Sequence, residues 1–330
     1  MSIRSFFIAS TAALALVGLA APALAATAGF TVVQAADPAG APITVGVWYP
    51  AEAPAKSMQL GIGDHTVAAG APLVGDHLPL IVMSHGNGGF FGGHADTAQA
   101  LAEAGFVVAA LTHTGDNYAD QSRATDMANR PRQLSVLIDY MLKASPMQAA
   151  LDPDRVGAFG FSSGGFTVLV AAGGEPDMKA LVPHCQAHPD FYDCKLTAKH
   201  APPADIATAT WTHDARIKAV VSAGPAIGYS FSKTGLSGVT VPLQLWRAGD
   251  DEILPDPFYA SNVRANLPRP PEYHVVEGAG HFDFLTPCNE TGRTTAAAIC
   301  GSAPGFDRAA FHRDFNAKVV GFFRAELMKP

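Results

Sequence analysis

The stretch Gly160-Phe161-Ser162-Ser163-Gly164 holds a serine two residues from a glycine on each side. An apolar run, "RVGAF", precedes it and another, "GGFTVLVAA", follows, so Ser162 falls where a strand should give way to a buried helix. A turn that sharp strains the serine backbone, requires small residues two before and two after, and lifts the hydroxyl clear of the sheet. The start of the helix adds partial positive charge where an anion would develop. Such a hydroxyl needs a base to become a nucleophile. Histidine, which titrates near neutrality, suits that task, and "VVEGAGHFDF" puts His281 in a loop just after an apolar run. His85, His113 and His274 compete poorly: they fall in a glycine loop, at the end of an earlier strand and inside a later one. An acid to orient the imidazole is offered by "WRAGDDEILP". Asp251 is assigned, with adjacent Asp250 as runner-up.

A second glycine-rich loop, His85-Gly86-Asn87-Gly88, follows the run "IVMS". Its backbone can aim an N–H at a reacting carbonyl. The N–H groups of Asn87 and of Ser163, the residue after the serine, would then form an oxyanion hole. The chain order Ser162, Asp251, His281 is the one expected of α/β-hydrolases. Each residue lies at the C-terminal end of an expected strand, where an open parallel sheet places its site.

The elements that must position these groups alternate along the chain. Strand-like runs start at Phe30, Ile43, Leu78, Phe106, Arg155, Ile217, Val241 and Glu272. Most of the later ones are continuously apolar, as strands buried on both faces are. Helical patterns lie between: "ADTAQALAEAG", ended by Gly105; "PRQLSVLIDYMLKA", with Leu134, Leu137, Ile138 and Met141 on one stripe; and a closing segment with Phe311, Phe315, Val319, Phe322 and Phe323 on one face. The expected fold is α/β, a mostly parallel central sheet with helices on both faces, with the two early strands as an antiparallel edge. One irregular interval, residues 174–214, is expected to cap the site. Residues 26–330 are read as a single domain.

The chain has 330 residues, 48% hydrophobic, and a formal charge of -7 without any basic run. Nucleic-acid binding, which needs clustered Lys and Arg, is not expected. Residues 1–25 read as a secretory signal: Arg4, then an apolar core from Phe6 to Ala20, then Ala23-Leu24-Ala25 as a cleavage site. No later stretch is long and apolar enough to span a bilayer. The mature chain is therefore expected in the periplasm or outside the cell, where Cys185, Cys194, Cys288 and Cys300 would form two disulfides. Three pairings are possible, and the local pairs Cys185–Cys194 and Cys288–Cys300 are favoured. The alternative for the first pair is a zinc site of His184, Cys185, His188 and Cys194.

Six stretches, "SHGNGG", "THTGDN", "RPRQLSVLIDYM", "LDPDRVGAFGFSSGG", "WRAGDDEIL" and "GHFDFLTPC", carry a resemblance over most of the mature chain. The sequence resembles the α/β-hydrolase superfamily. Within it, the chain is similar to a bacterial group described as predicted dienelactone hydrolases, itself similar to platelet-activating-factor acetylhydrolases. The resemblance implies a cofactor-free esterase with Ser162 as nucleophile, Asp251 as acid and His281 as base. Dienelactone hydrolases proper use a cysteine nucleophile. The serine here implies ordinary ester hydrolysis rather than lactone opening. The tail "PCNETGRTTAAAIC" also looks like this group, and a disulfide in it would stiffen the loop that carries the base.

Phe90, Phe91, Phe161, Trp246 and Phe282 flank the expected site in sequence and are candidates to line an apolar pocket. Short- to medium-chain carboxylic esters are the expected substrates. Short-acyl phospholipids and polyesters are alternatives. A peptidase, an acyltransferase and a non-catalytic binding protein are the readings from other classes.

Overall fold

A computed structural model describes residues 27–328, so the expected signal segment lies outside the described residues. Ten strands form one sheet: β1 (Thr27–Ala35), β2 (Ile43–Ala51), β3 (Lys56–Leu60), β4 (Gly63–Ala69), β5 (Leu78–Ser84), β6 (Val107–Thr112), β7 (Leu151–Phe161), β8 (Ile217–Ala223), β9 (Leu243–Ala248) and β10 (Glu272–Val276). Their spatial order is β10-β9-β8-β7-β5-β6-β2-β1-β4-β3. The six strands from β10 to β6 all pair in parallel. Beyond them β2 turns antiparallel to β6, and β1 to β2.

All eight expected strands are present. The sheet edge is wider than expected, because the hairpin of β3 and β4 pairs onto β1. "KSMQL" of β3 is short, polar and largely exposed, so no apolar run announced it.

The parallel strands are apolar on both faces because helices cover both. On β5, Leu80 and Val82 point to one half of the core, and Ile81 and Met83 to the other, the two-residue period of a strand. The first half is closed by α2 (Asn129–Lys143) and α3 (Ser163–Ala171). The expected stripe Leu134, Leu137, Ile138 and Met141 is fully buried there. All nine residues of α3 are buried, which explains why it is apolar all round. The second half is closed by α1 (Ala95–Glu103) and α9 (Arg308–Leu327), the latter through Phe315, Val319 and Phe323.

The interval 174–214 is less irregular than expected. It contains two short helices, α4 (Leu181–Ala187) and α5 (Tyr192–Lys199), joined by the Cys185–Cys194 disulfide. Helix α6 (Ala260–Asn266) lies between β9 and β10. After β10, α7 (Glu290–Thr295) and α8 (Ala297–Cys300) form a small loop closed by Cys288–Cys300. Both pairings are the local ones. With Cys185 and Cys194 bonded to each other, the zinc alternative has no thiolate to offer. Among the described residues, no helix is long and apolar enough to cross a membrane.

Candidate active site

Ser162 directly follows β7 and immediately precedes α3, with φ 55° and ψ -119°. A non-glycine residue at positive φ is strained, and such strain persists only where the surroundings hold it. The hold here comes from Ala223 O, which accepts from Ser162 N at 2.9 Å, and from Phe166 N and Ala226 N, which donate to Ser162 O at 3.1 and 3.0 Å. The flanking glycines are required by space. A Cβ at Gly160 would lie 2.0 Å from Gly164 O, and one at Gly164 would lie 1.9 Å from Ser84 O.

His281 opens a short 3-10 turn (His281–Phe284) after β10, and Asp251 follows β9. His281 Nε2 lies 3.0 Å from Ser162 Oγ, and Nδ1 lies 2.9 Å from Asp251 Oδ2. Histidine and acid are both buried. The other Asp251 oxygen accepts from the N–H groups of Ile253 and Leu254 at 3.0 and 2.7 Å, which fixes the carboxylate's orientation. Asp250 is exposed and plays no part in this line. Glu252, the third acid, accepts from His281 N at 3.1 Å and so steadies the backbone of that loop. The turn is anchored further by Asp283, which accepts from Gly280 N at 2.8 Å and from Arg308 Nε at 2.9 Å. Arg308 also donates to Ile299 O and Gly301 O, so the disulfide-closed tail grips the histidine turn.

The competing histidines are accounted for by their partners. His85 Nδ1 lies 2.6 Å from Gly86 O, so it must carry the proton, while Nε2 accepts from His113 N at 3.0 Å. Burial, with repulsion from Arg130, pushes the His85 pKa down to about 3, which keeps the ring neutral. His113 is buried between Ser84 Oγ and Gln133 Oε1, each at 2.8 Å. His274 stacks on Trp246 at 4.1 Å in the sheet.

The loop 85–88 runs against Ser162: a Cβ on Gly86 would come within 3.2 Å of the serine Cβ. What holds the loop was not visible in the sequence. Arg130, 2% exposed, forms a buried ion pair with Asp116 and donates to His85 O. Asp116 in turn accepts from Asn87 Nδ2 at 2.7 Å and Gly88 N at 2.9 Å. Arg130 Nε also reaches Thr167 Oγ1 on α3 at 3.1 Å, and that hydroxyl donates to Ser163 O at 2.7 Å. One guanidinium thus ties the Asn87 loop to the helix that begins at Ser163. From the opposite side, Tyr192 of the insertion donates its hydroxyl to Asn87 Oδ1 at 2.7 Å.

Two cavities meet at Ser162. One is lined by Asn87, Phe161, Tyr192, His281 and Phe282. The other, a narrow one, lies under the insertion beside Ser163. Two of the five expected aromatics, Phe161 and Phe282, therefore line the site. The other three do not. Trp246 is a core residue, packed on Phe315 and donating to Gln244 Oε1 at 2.9 Å. Phe91 packs on Trp48 and Phe30, and Phe90 on Phe91 and Tyr118. Nearness in sequence to a strand end is not nearness to the cleft, because successive residues there point to opposite faces. Tyr192, Ile253 and Leu254, which do line the cavities, were not among the expected lining residues.

The fold is that of the α/β-hydrolases. Residues 83–195, which include the Asn87 loop and the Ser162 turn, match a family described as PET hydrolase-like (PETase). Among solved structures, a ferulic acid esterase from Streptomyces cinnamoneus is similar with a TM-score of 0.62. That match covers 94% of this chain and 93% of the other, at 19% identity, which is a likeness of fold. No curated protein matches the chain in sequence.

Proposed function

We propose that this chain is a serine carboxylic-ester hydrolase that works through an acyl-enzyme. The observation that carries the reading is the line from Asp251 through His281 to Ser162, at 2.9 and 3.0 Å, with the serine at positive φ. The PETase-like family match supports the coarse class, hydrolysis of ester bonds.

In this mechanism Asp251 accepts a hydrogen bond from His281 Nδ1–H, so Nε2 is free to take the Ser162 proton. The serine oxygen attacks the ester carbonyl. The N–H groups of Asn87 and Ser163 stabilise the oxyanion, and His281 then gives its proton to the leaving alcohol. Water repeats the sequence on the acyl-enzyme and releases the acid. Short- to medium-chain esters are the proposed substrates.

Ser162→Ala should abolish turnover of p-nitrophenyl esters without altering the circular dichroism spectrum. A fluorophosphonate should label wild type at Ser162 and leave the variant unlabelled. Full activity in Ser162→Ala, or a wild type that does not label, would sink the reading; the second result is what a non-catalytic binding protein would give. Release of free acid in water, without peptide cleavage, separates an esterase from an acyltransferase or a peptidase.

A polyester hydrolase is the second reading, favoured by the family match over residues 83–195. Release of soluble acids from a polyester film, dependent on Ser162, tests it. Export to an oxidising compartment is also proposed, supported by the two disulfides. Intact-mass measurement of the protein recovered from the periplasm or medium should then place the mature N-terminus at Ala26.

A further inference from the structure

The two cavities share Ser162 and Tyr192 but differ in every group that would handle the two halves of an ester. His281, Asn87 and Phe282 line one and not the other. Ser163, Met178, Leu181 and Leu196 line the second and not the first. The Tyr192–Asn87 hydrogen bond spans the boundary between them. The group that protonates the leaving alcohol must face it, so the alcohol has to depart into the cavity that His281 lines. That leaves the cavity under the insertion for the acyl group.

We propose that this second cavity is the acyl-binding site, that it takes a neutral, apolar acyl chain, and that the wall formed by Met178, Leu181, Thr197 and Pro202 sets the length of chain it accepts. The proposal rests on Ser162 being the nucleophile. Those four residues line the cavity on one side and an open apolar groove on the outer face of the insertion on the other. The wall is thus one side chain thick, with free apolar surface beyond it.

The charge inventory supports a neutral chain. Among the described residues, no lysine or arginine lines either cavity. Asp193 lines the acyl cavity, and its oxygens are already taken: Tyr229 and Tyr259 donate to them at 2.9 and 3.0 Å, and Cys194 N at 3.0 Å. A carboxylate or phosphate carried into this cavity would stay unpaired away from water, which is strongly unfavourable.

The test is a steady-state series of p-nitrophenyl esters of increasing acyl length, run beside acetates of increasingly bulky alcohols. Leu181→Ala should open the wall and shift the kcat/KM optimum to longer acyl chains. It should raise longer esters over acetate by roughly tenfold, since one methylene in an apolar pocket is worth about 10- to 200-fold. The ranking of the alcohols should stay unchanged. Leu196→Phe, at a partly exposed position of α5, should fill the same cavity and shorten the preferred chain. It serves as the test should Leu181→Ala fail to fold. Leu285→Ala, in the His281 cavity, should do the reverse: reorder the alcohols and leave the acyl optimum in place. A p-nitrophenyl hemisuccinate should react more slowly than the uncharged butyrate of equal length. An unmoved acyl profile in folded Leu181→Ala or Leu196→Phe, or a change confined to the alcohol series, would overturn the assignment. Failure of the underlying reading shows differently, as ester turnover that survives Ser162→Ala.

Discussion

Ser162 is held at positive φ by neighbours that leave the turn no slack, and this makes the flanking positions intolerant in a specific way. Gly164→Ala places a methyl 1.9 Å from a backbone oxygen of β5, which neither side can yield cheaply. Overpacking of this kind costs about 3 kcal/mol or more, and the loss should appear as a lower urea midpoint together with lost fluorophosphonate labelling. The acids after β9 give a paired prediction. Asp251→Asn should lower kcat by roughly 10³- to 10⁴-fold, because an amide disturbs the histidine tautomer that the reaction needs. Asp250→Asn, at an exposed position, should leave kcat/KM within about twofold. Equal effects from the two substitutions would contradict the proposed role of Asp251.

Between elements, single side chains act as ties. Arg130 joins α2 to both the Asn87 loop and α3 through Asp116 and Thr167. Breaking a buried ion pair by removing one partner typically costs 3–5 kcal/mol, since the other charge is left uncompensated. Asp116→Ala should therefore lower stability by about that amount and lower kcat more than it changes KM, because Asn87 and Gly88 lose their acceptor. A second tie joins α9 to α1. His312 Nδ1 lies 2.7 Å from Asp96 Oδ2, and Nε2 lies 2.9 Å from Asp283 O, so both ring nitrogens face acceptors. Burial and the nearby Arg308 oppose the charged ring, but the Asp96 carboxylate and these hydrogen bonds outweigh them and raise the pKa above 6.5. The folded chain then holds this proton more tightly than the unfolded chain. The contribution is full below pH 6.5 and is lost as pH rises through the raised value. His312→Gln should remove that part of the alkaline fall in denaturation midpoint.

Over the whole molecule, the buried neutral histidines carry the opposite sign. Burial is the main cause at both His85 and His94, lowering their pKa values to about 3 and about 4. Arg130 adds to the effect at His85, while Asp96 partly opposes it at His94. Unfolding lets both rings return to an ordinary value near 6.5, so between there and about pH 4 the unfolded chain binds protons that the folded chain refuses. Stability from these groups is complete above pH 6.5 and falls as the solution is acidified, by about 1.4 kcal/mol per pH unit for each ring. Urea midpoints measured from pH 7 down to pH 4 should decline accordingly. A flat profile would mean that these rings are protonated or solvated in the folded chain.

What could be read in the sequence was whatever local geometry imposes on residue type. The serine turn needs glycines at fixed offsets, parallel strands buried on both faces need unbroken apolar runs, and cysteines nine and twelve positions apart can meet within one loop. The β3–β4 hairpin escaped notice because an exposed edge strand makes no such demand. The sequence favoured Asp251 among three adjacent acids, but only the tertiary structure places it against the histidine, and only it decided that Trp246 fills the core while Phe161 and Phe282 border the cleft. The ties around Asn87 were equally hidden. Its partners Asp116 and Tyr192 lie 29 and 105 positions away, and a contact between distant residues leaves no trace in local spacing. Their meeting depends on where the sheet and its insertion bring the chain back together.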